Sequence, residues 1–481
     1  MRRIVRCWAI FCAATAVCAA ADAPQASVSA KVKELLAAQR YASADAGILV
    51  RDLTADSTIV SWNADSLFNP ASVNKLVTGA AALERLGSAY SFTTSLFAGG
   101  PFSRDSGVLA GDLYVKGTGD PGMVVERLWL LVQHMLQAGI RTIRGNLVLD
   151  DFYFDSLAAG PGFGEDGSSR AYDAPVGALS ASFNSVAVVV RPGDTVGAPV
   201  GVSLFPKIKN VRIECGATTA GVNGKATVDA ATDDRNGRVV IRVFGTMRLG
   251  DRPKALYRKA FRPWENFGDA FAALLSENGV RLGGSVSHGR TPDSLMRDTL
   301  VAFPSQPLLE FVRAMFKWSS NFSAEMIFKA LAAADSQTGT WDNGSRTMAA
   351  WWKSAGLPGA PAIKNGSGMG ANTNRYSPAQ LVALLAHVWN RRDYLPDYLS
   401  ALSTSGVDGT LQSRFGNSPL KGIVRAKTGT LNDIGVSTLA GYVLLPDRTL
   451  VFAILLRNPK AAQTTQWMVQ EKVLEMAARA R

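Results

Sequence analysis

The pattern of apolar and polar positions changes character twice along the chain. Helical spacing over Ala30–Arg40 gives way to strand-like alternation at Ala46–Leu53 and Ser57–Asn63. A strong helix start follows. Pro70 precedes Ser72, apolar residues recur at Leu76, Val77, Ala80 and Leu83, and Gly87 supplies a stop. From about Ser91 to Val286 glycine is frequent and the strand-like runs are short. Examples are Asp112–Val115, Asn146–Leu149, Val186–Val190 and Val239–Phe244, with a glycine-rich stretch at Gly117–Gly122 and one helical pattern over Val124–Ala138. Helical periodicity returns at Leu308–Ser319, Ser323–Ala334, Ser345–Ala355 and Pro378–Trp389. Three strand-like runs, Ile423–Lys427, Thr438–Leu445 and Leu450–Leu456, and a helix over Thr464–Ala480 close the chain.

Two early and three late strands predict one antiparallel five-stranded sheet, with the first and last helices on one face. The ends of the chain, residues 26–90 and 291–481, therefore read as one α/β (α+β) domain. A mostly β insertion at 91–290, one unit or two subdomains, interrupts it. The last helix carries apolar Trp467, Met468, Val469, Val473, Leu474 and Met476. Glu471 and Glu475 break any basic face, so it reads as packed on the sheet, with peripheral membrane attachment as the alternative.

Residues 1–21 read as a secretion signal. Arg2, Arg3 and Arg6 precede a short apolar stretch from Cys7 to Cys18, and Ala19, Ala20 and Ala21 offer cleavage after Ala20 or Ala21. The stretch is too short for an ordinary membrane span. A retained anchor and lipidation at Cys18 are the alternatives. Cleavage removes three of the four cysteines and leaves Cys215 without an internal partner. Cys215 is expected to be a small core residue in a strand over Val211–Cys215, not a nucleophile.

Composition adds two constraints. The net charge of +12 falls by three to +9 once the arginines of the leader are gone, which suits an anionic polymer such as cell wall. No Lys/Arg run, zinc spacing or RNA-binding signature accompanies that charge, so nucleic acid is not the expected partner. The three histidines are scattered: His134 and His387 lie in helical patterns, and His288 in a glycine-flanked turn. No ligand cluster has metal spacing. Serine chemistry in this chain has to run without histidine.

Three short motifs offer that chemistry. In Ser72-Val73-Asn74-Lys75 the serine and lysine lie about one helical turn apart, at a helix start with free N–H groups. A neutral Lys75 could take the Ser72 proton. Alone the motif is weak, because Ser418-Pro419-Leu420-Lys421 matches it too. In Ser319-Ser320-Asn321, Ser319 could relay a proton and Asn321 could hold a substrate amide and a lysine. A simple helix cap explains the residues equally well. Lys427-Thr428-Gly429-Thr430 occurs once and ends a strand. Its edge can pair with an extended peptide, its glycine admits a close backbone, and its hydroxyls and cation suit a carboxylate. The Thr430 and Ser72 N–H groups would form an oxyanion hole.

In this order the three motifs resemble the set shared by penicillin-binding proteins and class A β-lactamases. The chain resembles low-molecular-mass class C penicillin-binding proteins, the D-alanyl-D-alanine carboxypeptidase/endopeptidase family. Gly117-Thr118-Gly119-Asp120-Pro121, Tyr172-Asp173-Ala174-Pro175 with Ala178-Leu179, and Asn365-Gly366-Ser367-Gly368 resemble further family segments. The long insertion between Ser72 and Ser319 resembles a family hallmark. The resemblance covers most of the chain after the leader. It implies a serine β-lactamase/penicillin-binding transpeptidase-like domain, catalytic Ser72, Lys75, Ser319, Asn321 and Lys427, and substrate-binding Thr428, Gly429 and Thr430. It further implies a periplasmic enzyme without metal or cofactor that acts on peptidoglycan stem peptides and is acylated by β-lactam antibiotics.

Asn365 stands where the family usually has Asp, and Ser320 at a variable position. Neither Glu-x-x-Leu-Asn nor Tyr-x-Asn is present, so slow trapping of antibiotics is expected over fast hydrolysis. A β-lactamase or esterase on the same fold is the nearest rival. A non-catalytic wall-binding or antibiotic-sensing protein is the more distant one.

Overall fold

The side chains of the main sheet alternate between two apolar cores, one on each face. The computed structural model describes residues 28–480 except 166, 208, 210 and 336, and the expected leader with Cys7, Cys12 and Cys18 lies outside the described residues. The sheet is antiparallel and has six strands: β1 (Ala46–Asp52), β2 (Ser57–Trp62), β3 (Ser403–Thr404), β4 (Val424–Leu431), β5 (Val436–Leu444) and β6 (Thr449–Arg457), in the order β2-β1-β6-β5-β4-β3. Five of these match the expected strands. The sixth, β3, has only two residues, too few for an alternation to register in the sequence.

Strand β6 sends Val451, Ala453 and Leu455 to one side and Leu450, Phe452, Ile454 and Leu456 to the other. On the second side they meet Val28, Val32 and Leu36 of the helix over 28–38 and Val469, Val473 and Leu474 of the helix Gln463–Arg479. The first and last helices thus share one face, and the apolar stripe of the last helix is turned inward. The first side packs against the helices Asn74–Leu86, Leu308–Lys317, Asn321–Ala333 and Pro378–Trp389. Each large side chain so buried stabilises the fold by about 1.5–3 kcal/mol. Ser377 and Gln380 form a reciprocal capping box that starts Pro378–Trp389, and Gly87 at φ 83° ends Asn74–Leu86.

Between Leu86 and Leu308 the chain builds two further cores. One joins a five-stranded sheet to the helices Val125–Gln137 and Pro263–Glu277. The other lies between small sheets formed by residues 185–259. Only the first of these helices was expected. Pro263–Glu277 escapes notice because its glycine, Gly268, sits inside the helix, where Leu149 and Val286 occupy the space a side chain would need. Strand Thr299–Pro304, assigned from sequence to the C-terminal part, pairs with Thr93–Gly99 in this middle region.

Two expectations need correction. Cys215 does end the strand Val211–Cys215, but it is exposed. The strand lies at the sheet edge and covers its core only weakly. His288 lies at the end of the short strand Val286–His288, not in a turn. It is stacked between Phe152 and Trp264 at ring distances of 4.6 and 4.7 Å.

Candidate active site

The first motif sits on a sharply held turn. Residues Ala71–Val73 form a single 3-10 turn that runs directly into the helix Asn74–Leu86, with Ala71 at φ 45°. The turn is fixed from several directions. Asn69 Oδ1 accepts from the Ala71 N–H at 2.8 Å, and its Nδ2 donates to the carbonyls of Gly370 and Ala371. The Thr438 hydroxyl donates to the Pro70 carbonyl at 2.8 Å. Two glycines allow the surrounding backbone to close in. A Cβ on Gly429 would stand 2.2 Å from Thr438 Oγ1 and 2.9 Å from the Ser72 amide nitrogen, and one on Gly368 would stand 1.9 Å from the Ala71 carbonyl oxygen. The glycine of the third motif is therefore required for packing of β4 on the Ser72 turn, a closer constraint than room for a substrate.

Lys75 is fully buried. Its Nζ lies 2.8 Å from Ser72 Oγ, 2.7 Å from Asn321 Oδ1 and 2.7 Å from the Ser367 carbonyl oxygen. Burial, helped by the nearby charge of Lys427, holds the amine well below the usual lysine range, and the Glu325 carboxylate opposes that shift. A neutral amine has two N–H donors and one lone pair. The amide oxygen and the carbonyl can only accept, so they claim the two N–H groups. The lone pair is left for the Ser72 hydroxyl, the one neighbour able to donate.

Ser319 ends the preceding helix in the left-handed region at φ 59°. Ser320 caps the helix Asn321–Ala333, its Oγ accepting from the Ser323 N–H, so the cap role falls to Ser320. Asn321 Nδ2 donates to the Tyr172 carbonyl at 3.0 Å, which ties the middle region to the site. Lys427 Nζ donates to Ser319 Oγ at 3.0 Å and to the Thr428 carbonyl at 2.7 Å. Burial lowers its pKa to about 7. Strand β3 pairs with β4 only at Arg425 and Ala426. Beyond that point no strand covers the outer edge of Thr428–Leu431 among the described residues. The Thr428 hydroxyl donates to Thr410 Oγ1 at 2.8 Å, and Thr430 Oγ1 accepts from Gln463 Nε2 at 3.1 Å.

All three motifs therefore converge. Ser72, Lys75 and Asn321 meet at one amine, Ser319 and Lys427 at one hydroxyl, and Thr428, Gly429 and Thr430 line the strand beside them. The second Ser-x-x-Lys, Ser418–Lys421, lies elsewhere, against Glu475 of the last helix. Sequence reasoning missed Glu325, Thr410 and the part played by the Ser367 carbonyl. Glu325 had a signal: it stands one helical turn after Asn321 and one turn before Lys329 on a mostly apolar helix. Among the described residues no cluster of three or more His, Cys, Asp or Glu could hold a metal ion, and no helix is long and apolar enough to cross a membrane.

This fold and site define a serine hydrolase of the penicillin-binding and β-lactamase type. The D-Ala-D-Ala carboxypeptidase 3 (S13) family profile matches residues 28–479, and the chain belongs to that family. It is 30% identical over 421 residues to a D-alanyl-D-alanine carboxypeptidase of an Actinomadura species, covering 85% of this chain and 77% of the relative. A D-alanyl-D-alanine carboxypeptidase of Haemophilus influenzae is 26% identical over 406 residues, 82% of each chain. The crystal structure of penicillin-binding protein 4 from Haemophilus influenzae superposes with a TM-score of 0.79 at 23% identity, over 92% of this chain and 98% of that one. The same protein complexed with a β-lactam gives 0.75 at 22% identity, over 94% and 99%. The chain is accordingly a serine-type D-Ala-D-Ala carboxypeptidase.

Proposed function

We propose that Ser72 attacks the carbonyl of the penultimate D-Ala of a peptidoglycan stem peptide, with Lys75 as the base that takes its proton. The single observation that carries this reading is the buried Lys75 amine, whose two acceptor-only neighbours leave its lone pair to the Ser72 hydroxyl. The Ser72 and Thr430 N–H groups receive the oxyanion. Ser319, hydrogen-bonded to Lys427, relays the proton taken by Lys75 to the departing amine. Lys427 and the Thr428 and Thr430 hydroxyls hold the terminal carboxylate, and Asn321 holds the substrate amide. The substrate lies along the open edge of β4 as an added strand. Water then hydrolyses the acyl-enzyme.

The same chemistry cleaves a cross-link when the leaving amine belongs to a second stem peptide, which makes the enzyme an endopeptidase as well. β-Lactams acylate Ser72 as substrate mimics. The N-terminal 21 residues direct export and are removed, the mature enzyme works in the periplasm at the cell wall, and its basic charge favours that anionic surface. Residues 91–290 serve as an insertion that contributes Tyr172 to the site. The test is release of D-Ala from a purified stem peptide. Wild-type enzyme should release it and Ser72→Ala should not; release by Ser72→Ala at the wild-type rate contradicts the proposal.

A further inference from the structure

Asn321, Glu325 and Lys329 follow one another at four-residue intervals on a helix that is buried throughout. Asn321 belongs to the site just described, but no step of the reaction uses the other two. Lys329 has its own partners: it lies 2.6 Å from Asp155 Oδ1 and 2.9 Å from the Leu157 carbonyl oxygen, and 4.0 Å from the centre of the Trp341 ring. Glu325 differs. It is fully buried, and among the described residues no cation pairs with it within 4.0 Å. Three neutral donors satisfy it instead: the Ser367 N–H at 2.8 Å on Oε1, and the Gly366 N–H at 3.1 Å and the Trp341 indole N–H at 2.9 Å on Oε2.

A buried carboxylate without an ion pair is costly and depends on every hydrogen bond it accepts. Two of its three donors belong to the turn whose next group, the Ser367 carbonyl, accepts from Lys75 at 2.7 Å. Of the elements packed around Lys75, β4 presents Lys427 and the helix Asn321–Ala333 presents Glu325. Lys329, one turn further along that helix, is paired with Asp155 and also feels the charges of Glu325 and Asp151, so Glu325 acts on both buried lysines, Lys75 and Lys329. The Ser72 turn, the residues Ser319 and Ser320, and the turn Asn365–Gly368 present only neutral groups.

We propose that Glu325 is a positioning residue for Lys75: it pins the Ser367 carbonyl against the amine through the Gly366 and Ser367 N–H groups, and it supplies the buried negative charge that balances the cations of the site. This rests on the reading of Lys75 as the base that activates Ser72. Removing the charge makes Lys75 easier to deprotonate and, as a base, weaker. Removing the hydrogen bonds lets the carbonyl drift.

The experiment follows the acylation rate by a fluorescent penicillin as a function of pH in full-length wild type, Glu325→Gln and Glu325→Asp. Circular dichroism verifies folding. Glu325→Gln should move the acid limb to lower pH and reduce the plateau rate by about tenfold or more. Glu325→Asp keeps the charge but shortens the reach, so its limb should stay in place while its plateau falls. A purely structural role lowers the plateau of Glu325→Gln and leaves its limb at the wild-type position, and that result overturns the proposal. If Glu325→Gln yields no folded protein, Glu325→Asp decides: a displaced limb, or a profile identical to wild type, overturns the proposal. A Ser72→Ala control that labels at the wild-type rate would instead remove the underlying reading of the site, a separate failure.

Discussion

Lys427 Nζ and Ser319 Oγ lie 3.0 Å apart, a hydrogen bond between the third motif and the second across 108 residues of chain. The bond places the Ser319 hydroxyl beside a buried cation, where its proton can be both received and returned. Ser319→Ala should lower the acylation rate by roughly 10²–10³-fold, the range for one general acid–base group. Stability should fall by about 1–3 kcal/mol, because the buried Lys427 ammonium loses one of its acceptors. Stopped-flow acylation and a thermal melt check both. A loss under about threefold removes Ser319 from the relay.

The two buried lysines predict the pH behaviour. Lys75 must be neutral to act as base, so kcat/KM should rise with pH as it loses its proton. Lys427 must be charged to attract a carboxylate, so kcat/KM should fall as pH climbs past about 7. Lys427→Arg stays charged throughout and should lose the alkaline limb even though its plateau is lower. An alkaline limb of unchanged position in Lys427→Arg assigns it to another group.

The same group has a stability signature. Lys427 is depressed to about 7 in the folded chain, whereas an unfolded lysine titrates near about 10.4. Between those values the unfolded chain binds more protons, so the contribution of this site to stability rises with pH across the window and is least favourable below it. The stability of wild type relative to Lys427→Met should therefore improve as pH is raised through this range. Denaturant midpoints at a series of pH values measure it, and a flat difference contradicts the burial of a titrating ammonium.

Asn365, where the sequence resemblance leads one to expect Asp, has a local use for its amide. Its Nδ2 donates to the Pro161 carbonyl at 2.7 Å and the Met369 carbonyl at 2.9 Å, while Oδ1 accepts from the Gly368 N–H at 2.8 Å and Asn374 Nδ2 at 2.7 Å. Every donor and acceptor of the amide is used. Asn365→Asp sets a buried carboxylate oxygen against two carbonyl oxygens and should cost about 3 kcal/mol at neutral pH. Such a carboxyl is raised above its unfolded value, so the deficit should shrink in acid. Equal stability of the two proteins in urea at neutral pH contradicts this account.

Gly429→Ala tests how the third motif holds the first. The added methyl meets Thr438 Oγ1 and the Ser72 amide, so β4 must retreat from the nucleophile turn. Overpacking of this kind costs about 1–3 kcal/mol, and the penicillin acylation rate should fall more steeply than stability does. Wild-type acylation by Gly429→Ala shows that the turn and strand need not touch.

Much of this was legible in the sequence for a physical reason. Strands β5 and β6 alternate between two apolar cores, and Ser72 and Ser319 stand beside the ends of strongly periodic helices; Lys427, expected to end its strand, lies in mid-strand because β4 runs on through Leu431. What stayed hidden depends on contacts remote in sequence. Strand β3 is two residues long and exists only because Ser403 and Thr404 meet Arg425 and Ala426. Glu325 looks like one of several polar residues on a mostly apolar helix until the turn at Gly366 and Ser367 is brought to it. The exposure of Cys215 follows from the edge position of its strand, which composition does not reveal.

The central claim is that one hydroxyl, that of Ser72, is activated by the amine 2.8 Å away. Mass spectrometry of the intact protein after penicillin treatment, followed by peptide mapping, tests it most directly. A single adduct on the peptide containing Ser72, absent in Ser72→Ala and strongly slowed in Lys75→Met, is the predicted result. An adduct on any other peptide, or one formed at the wild-type rate without the Lys75 amine, contradicts it.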